Sequence, residues 1–159
     1  MKNLLRTFAI IAAAFLFSTA AIAAPMSGMG TLVNVAGASG IALNGFDPVA
    51  FFTDGKPAHG DPGVKSTYQG ATYFFASKAH KARFDSDPEK YVPQFGGFCA
   101  YGAAVGALFP VDITTWQVRN GKLYLNLNPS VAAEFNKDPA RFISKAEKNW
   151  PGLVKGSGM

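Results

Sequence analysis

The residues best suited to chemistry in this sequence are one cysteine, Cys99, and two histidines, His59 and His80. A thiolate is a nucleophile, and an imidazole within hydrogen-bond reach can act as its base, so a Cys–His dyad is one hypothesis. The stretch around Cys99, QFGGFCAYG, matches no cysteine-hydrolase signature. Free cysteine is also among the most buried residue types, which favours a packing role between Phe98 and Tyr101.

A metal site is the second chemical hypothesis. Structural zinc sites usually need two or more cysteines, and a single cysteine excludes them. A copper site built from histidine, cysteine and methionine donors stays open, with His80 and Cys99 as its candidate ligands. His59 lies in the Gly- and Pro-rich loop GKPAHGDPG and is expected to be solvated.

Asp47 is the carboxylate in the most suggestive setting, GFDPVAFF. An aspartate before Pro48 favours an Asx-turn, in which the side chain accepts a backbone hydrogen bond. The same position would let a carboxylate face a ligand beside Phe46 and Phe52. Both interpretations remain open at this level.

The first half of the chain supplies short elements that would position these groups. VAFFT (49–53) is an apolar run that indicates a buried strand. STYQ (66–69) and TYFFA (72–76) flank Gly70-Ala71 and predict a hairpin. Ser77 then suits the N-cap of a helix carrying His80.

The second half continues with helices and one clear hairpin. CAYGAAVGAL favours a helix that starts near Phe98, and WQVRNGKLYLNLN predicts a type I′ hairpin that turns at Asn120-Gly121. Asn128-Pro129 and Asp138-Pro139 predict the starts of two more helices. No βαβ rhythm is present, so the predicted class is α+β: a small antiparallel sheet of hairpins packed with several short helices in a single domain.

The N-terminus predicts export. Residues 1–23 combine Lys2 and Arg6, an apolar run and an A-x-A end, which is the layout of a secretory signal peptide. Periplasmic localisation follows, with no stable membrane insertion after cleavage. We expect a flexible tail over 24–40, a domain over 41–152 and a second flexible tail over 153–159.

Charge and cysteine count narrow the partners. Loss of Lys2 and Arg6 lowers the net charge from +5 to +3, and the chain has no run of like charges. Nucleic acid is therefore a poor partner for this composition. One cysteine cannot close an intrachain disulfide, so packing must hold the core. The sequence leaves the oligomeric state open.

Several motifs in order resemble the YHS domain: DPV (47–49), TYFFAS (72–77), Phe84 and DPEKY (87–91). The longer pattern, about residues 41 to 152, is similar to a secreted bacterial branch of that family. The resemblance implies heavy-metal binding through paired cysteines, as suspected of YHS domains beside copper-transporting ATPases. Ala50 and Ala76 occupy the matching cysteine positions here, and only His80 remains of that ligand set.

These observations favour a periplasmic, non-catalytic binding module for a copper-like metal ion or a small ligand. The ligand-binding residues that we predict are Asp47, Phe52, Tyr73, Cys99 and Trp116, and the predicted metal ligands are His80 and Cys99. Two alternatives stay open. One is a thiol-dependent enzyme that uses Cys99, and the other is a protein–protein interaction module that docks through exposed aromatics of the WQVRNGKLYLNLN hairpin.

Overall fold

Strands and helices are mixed along residues 32–157, the part of the chain that the computed structural model describes. The predicted signal peptide, residues 1–23, lies outside this part. The α+β class is confirmed. The strands are β1 (Val35–Ala36), β2 (Ile41–Ala42), β3 (Asp61–Tyr68), β4 (Ala71–Phe75), β5 (Asp112–Arg119) and β6 (Lys122–Asn126). The helices are α1 (Ala50–Thr53), α2 (Lys78–Ser86), α3 (Pro88–Tyr91), α4 (Ala100–Ala104), α5 (Pro129–Phe135) and α6 (Pro139–Gly156).

The larger sheet is mixed, with strand order β1-β2-β4-β3. The predicted hairpin forms from β3 and β4 and turns at Gln69-Gly70, both with positive φ, one residue earlier than expected. β2 pairs in parallel with β4 through Ile41 and Thr72, whereas only antiparallel hairpins were expected. A strand of two residues is too short to leave a pattern in the sequence. The segment predicted as a tail over 24–40 therefore contributes β1 to the sheet.

The second sheet is the hairpin of β5 and β6. Asn120 and Gly121 form its turn with φ of 50° and 73°, as a type I′ turn requires. This prediction is confirmed.

The strand predicted for VAFFT (49–53) is wrong, because Ala50–Thr53 form one turn of α-helix. Oδ1 of Asp47 accepts a hydrogen bond from the backbone N–H of Val49 at 2.8 Å and so orients the chain as it enters the turn. A run of four apolar residues fits a buried strand and a buried helical turn equally well.

Side-chain caps begin the longer helices where the sequence placed them. Ser77 caps α2, Asn128 caps α5 and Asp138 caps α6, each accepting a hydrogen bond from a backbone N–H three residues on. α6 continues through Pro151 to Gly156. Residues 153–156, which the sequence placed in a flexible tail, are therefore helical.

Two apolar clusters hold these elements together. The first joins both sheets, since Tyr73 and Phe75 of β4 pack in the same cluster as Leu123 and Leu125 of β6. The second cluster lies among β6, helices α4 to α6 and Phe95, which belongs to a short 3-10 turn over Gln94–Gly97, and it includes the buried Phe135. β6 contributes to both clusters and connects them. In the described part of the chain, no helix is long and apolar enough to cross a membrane.

Candidate functional site

Asp47 is fully buried and connects three parts of the chain. Its Oδ1 accepts from Val49 N, and its Oδ2 accepts from Ala76 N, both at 2.8 Å. The carboxylate therefore ties the turn before α1 to the end of β4. The Asx-turn expected from the sequence is present, and it uses only one of the two oxygens.

His80 pairs with the second oxygen of Asp47. Its Nδ1 lies 2.7 Å from Oδ2 of Asp47, and its own backbone N–H donates to Ser77 Oγ at the start of α2. A carboxylate oxygen can only accept, so Nδ1 carries a proton and donates it. In the neutral form of this ring the lone pair lies on Nε2, and the hydrogen bond to the buried carboxylate sets the direction in which it points. The side chain is 15% exposed, so Nε2 lies at the edge of the interior.

Two side-chain oxygen atoms at the C-terminal end of α1 face Nε2 of His80. Thr53 Oγ1 lies 3.3 Å from it and Asp54 Oδ1 lies 3.6 Å from it. The two oxygens are 2.8 Å apart, joined by the Thr53 hydroxyl that donates to Asp54. One imidazole nitrogen, one carboxylate and one hydroxyl thus converge near the surface.

Cys99 is fully buried and serves a structural role at the start of α4. Its Sγ accepts from Gly102 N at 3.3 Å, as an N-cap does, and its S–H donates to Asn126 Oδ1 at 3.7 Å. Within residues 32–157, no hydrogen bond or ion pair joins Cys99 to Asp47 or His80. The structure therefore brings two of the three proposed polar groups together and leaves Cys99 in the core.

Within residues 32–157, the remaining predicted residues share no hydrogen bond or ring contact with the Asp47–His80 pair. Phe52 packs edge-on against Tyr91, with ring centroids 5.4 Å apart, and Trp116 lies 5.5 Å from Phe51. These contacts hold α1 against its neighbours. Tyr73, on β4, lines a separate cavity of about 200 Å³.

The other histidine has no acidic partner among the described residues. His59 is exposed and its ring lies 3.9 Å from that of Phe46. Its exposure agrees with the position predicted for it in a Gly- and Pro-rich loop. His59 also pairs with Phe46 in an isolated β-bridge. His59 is thus a natural control for any property assigned to His80.

Sequence reasoning missed Thr53 and Asp54. They end the VAFFTD run, and a strand there would have pointed them to opposite faces of a sheet. As a helical turn, the same residues end beside His80. The only signal was the polar pair directly after an apolar run, which also marks an ordinary surface loop.

The donor set at His80 is small. Within residues 32–157, no group of three or more His, Cys, Asp or Glu side chains is placed to hold a metal ion. An ion at His80 Nε2 would have Asp54 as its one carboxylate ligand and Thr53 as a weak hydroxyl ligand. Water or a second molecule would complete the coordination.

Comparison with known families identifies one part of the chain. Residues 49–95 match the family model of the YHS domain, so this segment of the chain is identified as a YHS domain. The matched segment contains α1, the β3–β4 hairpin and α2, and therefore Thr53, Asp54 and His80. Asp47 lies two residues before it. Comparisons with curated proteins and with solved structures found no match.

Proposed function

We propose that this YHS domain protein is a periplasmic, non-catalytic binding module that holds a Cu²⁺-like ion at His80. The observation that carries the proposal is the 2.7 Å hydrogen bond from His80 Nδ1 to the buried Asp47. Metal-binding histidines commonly donate their other ring N–H to a carboxylate, which orients the ring and raises its basicity. Here the carboxylate is itself held by two backbone N–H groups.

The spacing of the donors supports chelation of one ion. Two ligands about 2.0–2.2 Å from a metal ion lie roughly 3 to 3.5 Å apart at ordinary coordination angles. The distances from His80 Nε2 to Thr53 Oγ1 and to Asp54 Oδ1 are 3.3 and 3.6 Å. Small side-chain movements at this exposed edge would therefore suffice for binding.

The chemistry of the donors favours Cu²⁺ over Cu⁺. Cu⁺ prefers thiolate and thioether ligands, but Ala50 and Ala76 stand at the family's cysteine positions and Cys99 is engaged with Asn126. Imidazole and carboxylate ligands suit divalent ions. Among the first-row divalent ions, Cu²⁺ binds a given nitrogen and oxygen site most tightly. With two strong protein ligands, the site would exchange its ion readily and suits transfer or sensing better than catalysis.

The direct test is a calorimetric titration of the mature protein with Cu²⁺, alongside the variants His80→Ala and His59→Ala. We expect one ion per chain in the wild type and in His59→Ala, and loss of that binding in His80→Ala. The two histidines make a matched pair, because each substitution removes one imidazole. Equal binding by both variants would refute the proposal.

A second variant separates metal binding from folding. Asp54 is partly exposed and accepts neither of the backbone hydrogen bonds that hold Asp47, so Asp54→Asn should leave the fold intact. Loss of the carboxylate ligand should weaken Cu²⁺ binding by about 10-fold or more, comparable to the effect of altering a supporting group at a metal site. An unchanged affinity would remove Asp54 from the site.

The periplasmic location rests on the predicted signal peptide. Export would place the chain in an oxidising compartment, which favours Cu²⁺ over Cu⁺. The imidazole and carboxylate ligands at His80 agree with that form of copper. Cell fractionation followed by N-terminal sequencing should find a periplasmic protein beginning at Ala24. A cytoplasmic protein that retains Lys2 and Arg6 would contradict this part of the proposal.

A further inference from the structure

We propose that a cavity between β4, residues 92–96 and α6 binds a neutral aromatic carbonyl compound. The cavity encloses about 200 Å³. None of the residues that line it belongs to the proposed metal site of His80, Thr53 and Asp54, so the two sites are independent. For scale, an apolar cavity of about 150 Å³ binds benzene, which leaves room here for a ring with a short substituent.

The walls of the cavity are mostly apolar. They consist of hydrophobic side chains from two sides, chiefly Val92, Pro93, Trp150, Pro151 and Val154. Trp150 and Val154 are four residues apart on α6 and so lie on one face of that helix. A flat ring could pack against the indole. Apolar walls with few polar groups are typical of small-molecule sites.

Tyr73 is the polar group that selects the ligand. It is 1% exposed, and among residues 32–157 no group hydrogen-bonds its hydroxyl. Burial raises the pKa of Tyr73, so the hydroxyl stays protonated and remains a donor. The hydroxyl is accessible from the cavity and has no protein acceptor among the described residues, so it is free to donate to a ligand or a water molecule. The partner most suited to this hydroxyl is therefore a ligand with an acceptor, such as a carbonyl oxygen.

The cavity excludes charged ligands by its composition. Its lining residues within the described chain include no acidic, basic or histidine side chain. Besides Tyr73, the other polar side chain is that of Gln69, which donates to the Tyr68 hydroxyl. A carboxylate or an ammonium would lose its hydration without gaining an ion pair, which is costly.

At Gly96 the wall of the cavity forms where two backbone segments, those of Gly96 and Leu32, approach each other closely. Gly96 has φ of +58°, and a Cβ there would lie 2.0 Å from the carbonyl oxygen of Leu32. Its own carbonyl accepts from Asn34 N at 2.8 Å. Leu32 and Val33 are thus held against this wall, so the cavity exists before any ligand binds.

Three probe molecules test the proposed chemistry on the mature protein. Acetophenone carries a ring and a carbonyl acceptor, ethylbenzene has a similar shape without the acceptor, and benzoate adds a charge. We expect acetophenone to bind saturably, ethylbenzene to bind more weakly and benzoate not to bind. The readout is the NMR shift of the Gly96 amide and of the Trp150 indole N–H.

Two variants test the assignment of residues. Tyr73→Phe removes only the hydroxyl, so acetophenone should bind about 5-fold more weakly, as expected for loss of one hydrogen bond, while ethylbenzene should be unaffected. Val154→Phe should fill the cavity and abolish binding of both probes. The thermal midpoint of each variant confirms that it is folded. A folded Val154→Phe that still binds acetophenone would place the probe elsewhere.

Absence of saturable shifts at Gly96 and Trp150, or equal acetophenone affinity in wild type and Tyr73→Phe, would overturn the proposal. Its failure is distinguishable from failure of metal binding. Tyr73→Phe should leave the Cu²⁺ titration unchanged, and His80→Ala should leave the acetophenone titration unchanged.

Discussion

Asp47 is the polar side chain that connects the elements around the proposed site. It is fully buried and contacts Val49 N, Ala76 N and His80 Nδ1. Its hydrogen bond to Val49 N could be predicted from the sequence, because an Asp–Pro pair favours an Asx-turn. The contact with Ala76 could not, since it joins residues 29 positions apart.

We predict that Asp47→Ala lowers the free energy of unfolding by about 3 kcal/mol, because the substitution leaves two backbone N–H donors and His80 without their acceptor. Urea unfolding measures this loss. Asp54→Ala is the control, since Asp54 is partly exposed and should change stability by about 0.5 kcal/mol or less. Equal losses for the two variants would show that the Asp47 network has little energetic weight.

The reactivity of the Cys99 thiol distinguishes the binding module from the thiol-dependent enzyme. It is fully buried and its S–H and Sγ both have hydrogen-bond partners. We predict that a thiol reagent labels Cys99 at the rate of unfolding and much faster once urea unfolds the chain. The measurement is the labelling time course with and without urea. Rapid labelling of the native protein at neutral pH would favour the enzyme.

The β5–β6 hairpin exposes few aromatic side chains to a partner, which is the surface that the alternative interaction module would use. Of the aromatic residues in the β5–β6 hairpin, Tyr124 is buried and Trp116 packs against Phe51. The large hydrophobic residue that this hairpin exposes is Val118. Tyr124 thus belongs to the core, whereas Trp116 is half-buried and keeps part of its indole accessible.

At the scale of single elements, the sequence was most informative where turn and cap chemistry is strict. Asn120-Gly121 predicted its turn and Ser77 its cap, because few residue types satisfy those geometries. VAFFT (49–53) was misread, because a short apolar run carries no period that separates a strand from a helical turn. That error also hid Thr53 and Asp54 from the candidate site.

Two glycine substitutions in different elements should change stability in opposite directions. Gly121 has φ of +73° in the β5–β6 turn, so Gly121→Ala should destabilise by about 1 kcal/mol. Gly152 lies within α6 and a Cβ there would meet nothing within 4 Å, so Gly152→Ala should stabilise by about 0.5 kcal/mol. Thermal or urea unfolding compares both with the wild type. Shifts of the same sign would contradict the assigned backbone conformations.

At the scale of the whole molecule, the YHS match covers less than the folded unit. The segment 49–95 ends before β5 and β6, yet Leu123 and Leu125 of β6 pack in the same cluster as Phe75 of β4. The parallel pairing of β2 with β4 also brings in residues before the match. Such contacts depend on the assembled fold, and local sequence patterns do not encode them.

We therefore predict that a fragment of residues 49–95 is unfolded, whereas residues 32–157 fold. Without β6 the fragment exposes the apolar face of its sheet, and too little area remains buried to offset the chain entropy. Circular dichroism and the dispersion of amide NMR signals distinguish the two states. A fragment with dispersed signals and a cooperative thermal transition would show that the matched segment is an independent domain.

In the proposed function, Nε2 of His80, oriented by Asp47, anchors the metal ion. Pulsed electron paramagnetic resonance of the Cu²⁺-loaded mature protein tests it most directly, because the method detects the remote nitrogen of a bound imidazole. We predict modulation from one imidazole in the wild type and in His59→Ala, and none in His80→Ala. Modulation that persists in His80→Ala and disappears in His59→Ala would contradict the account.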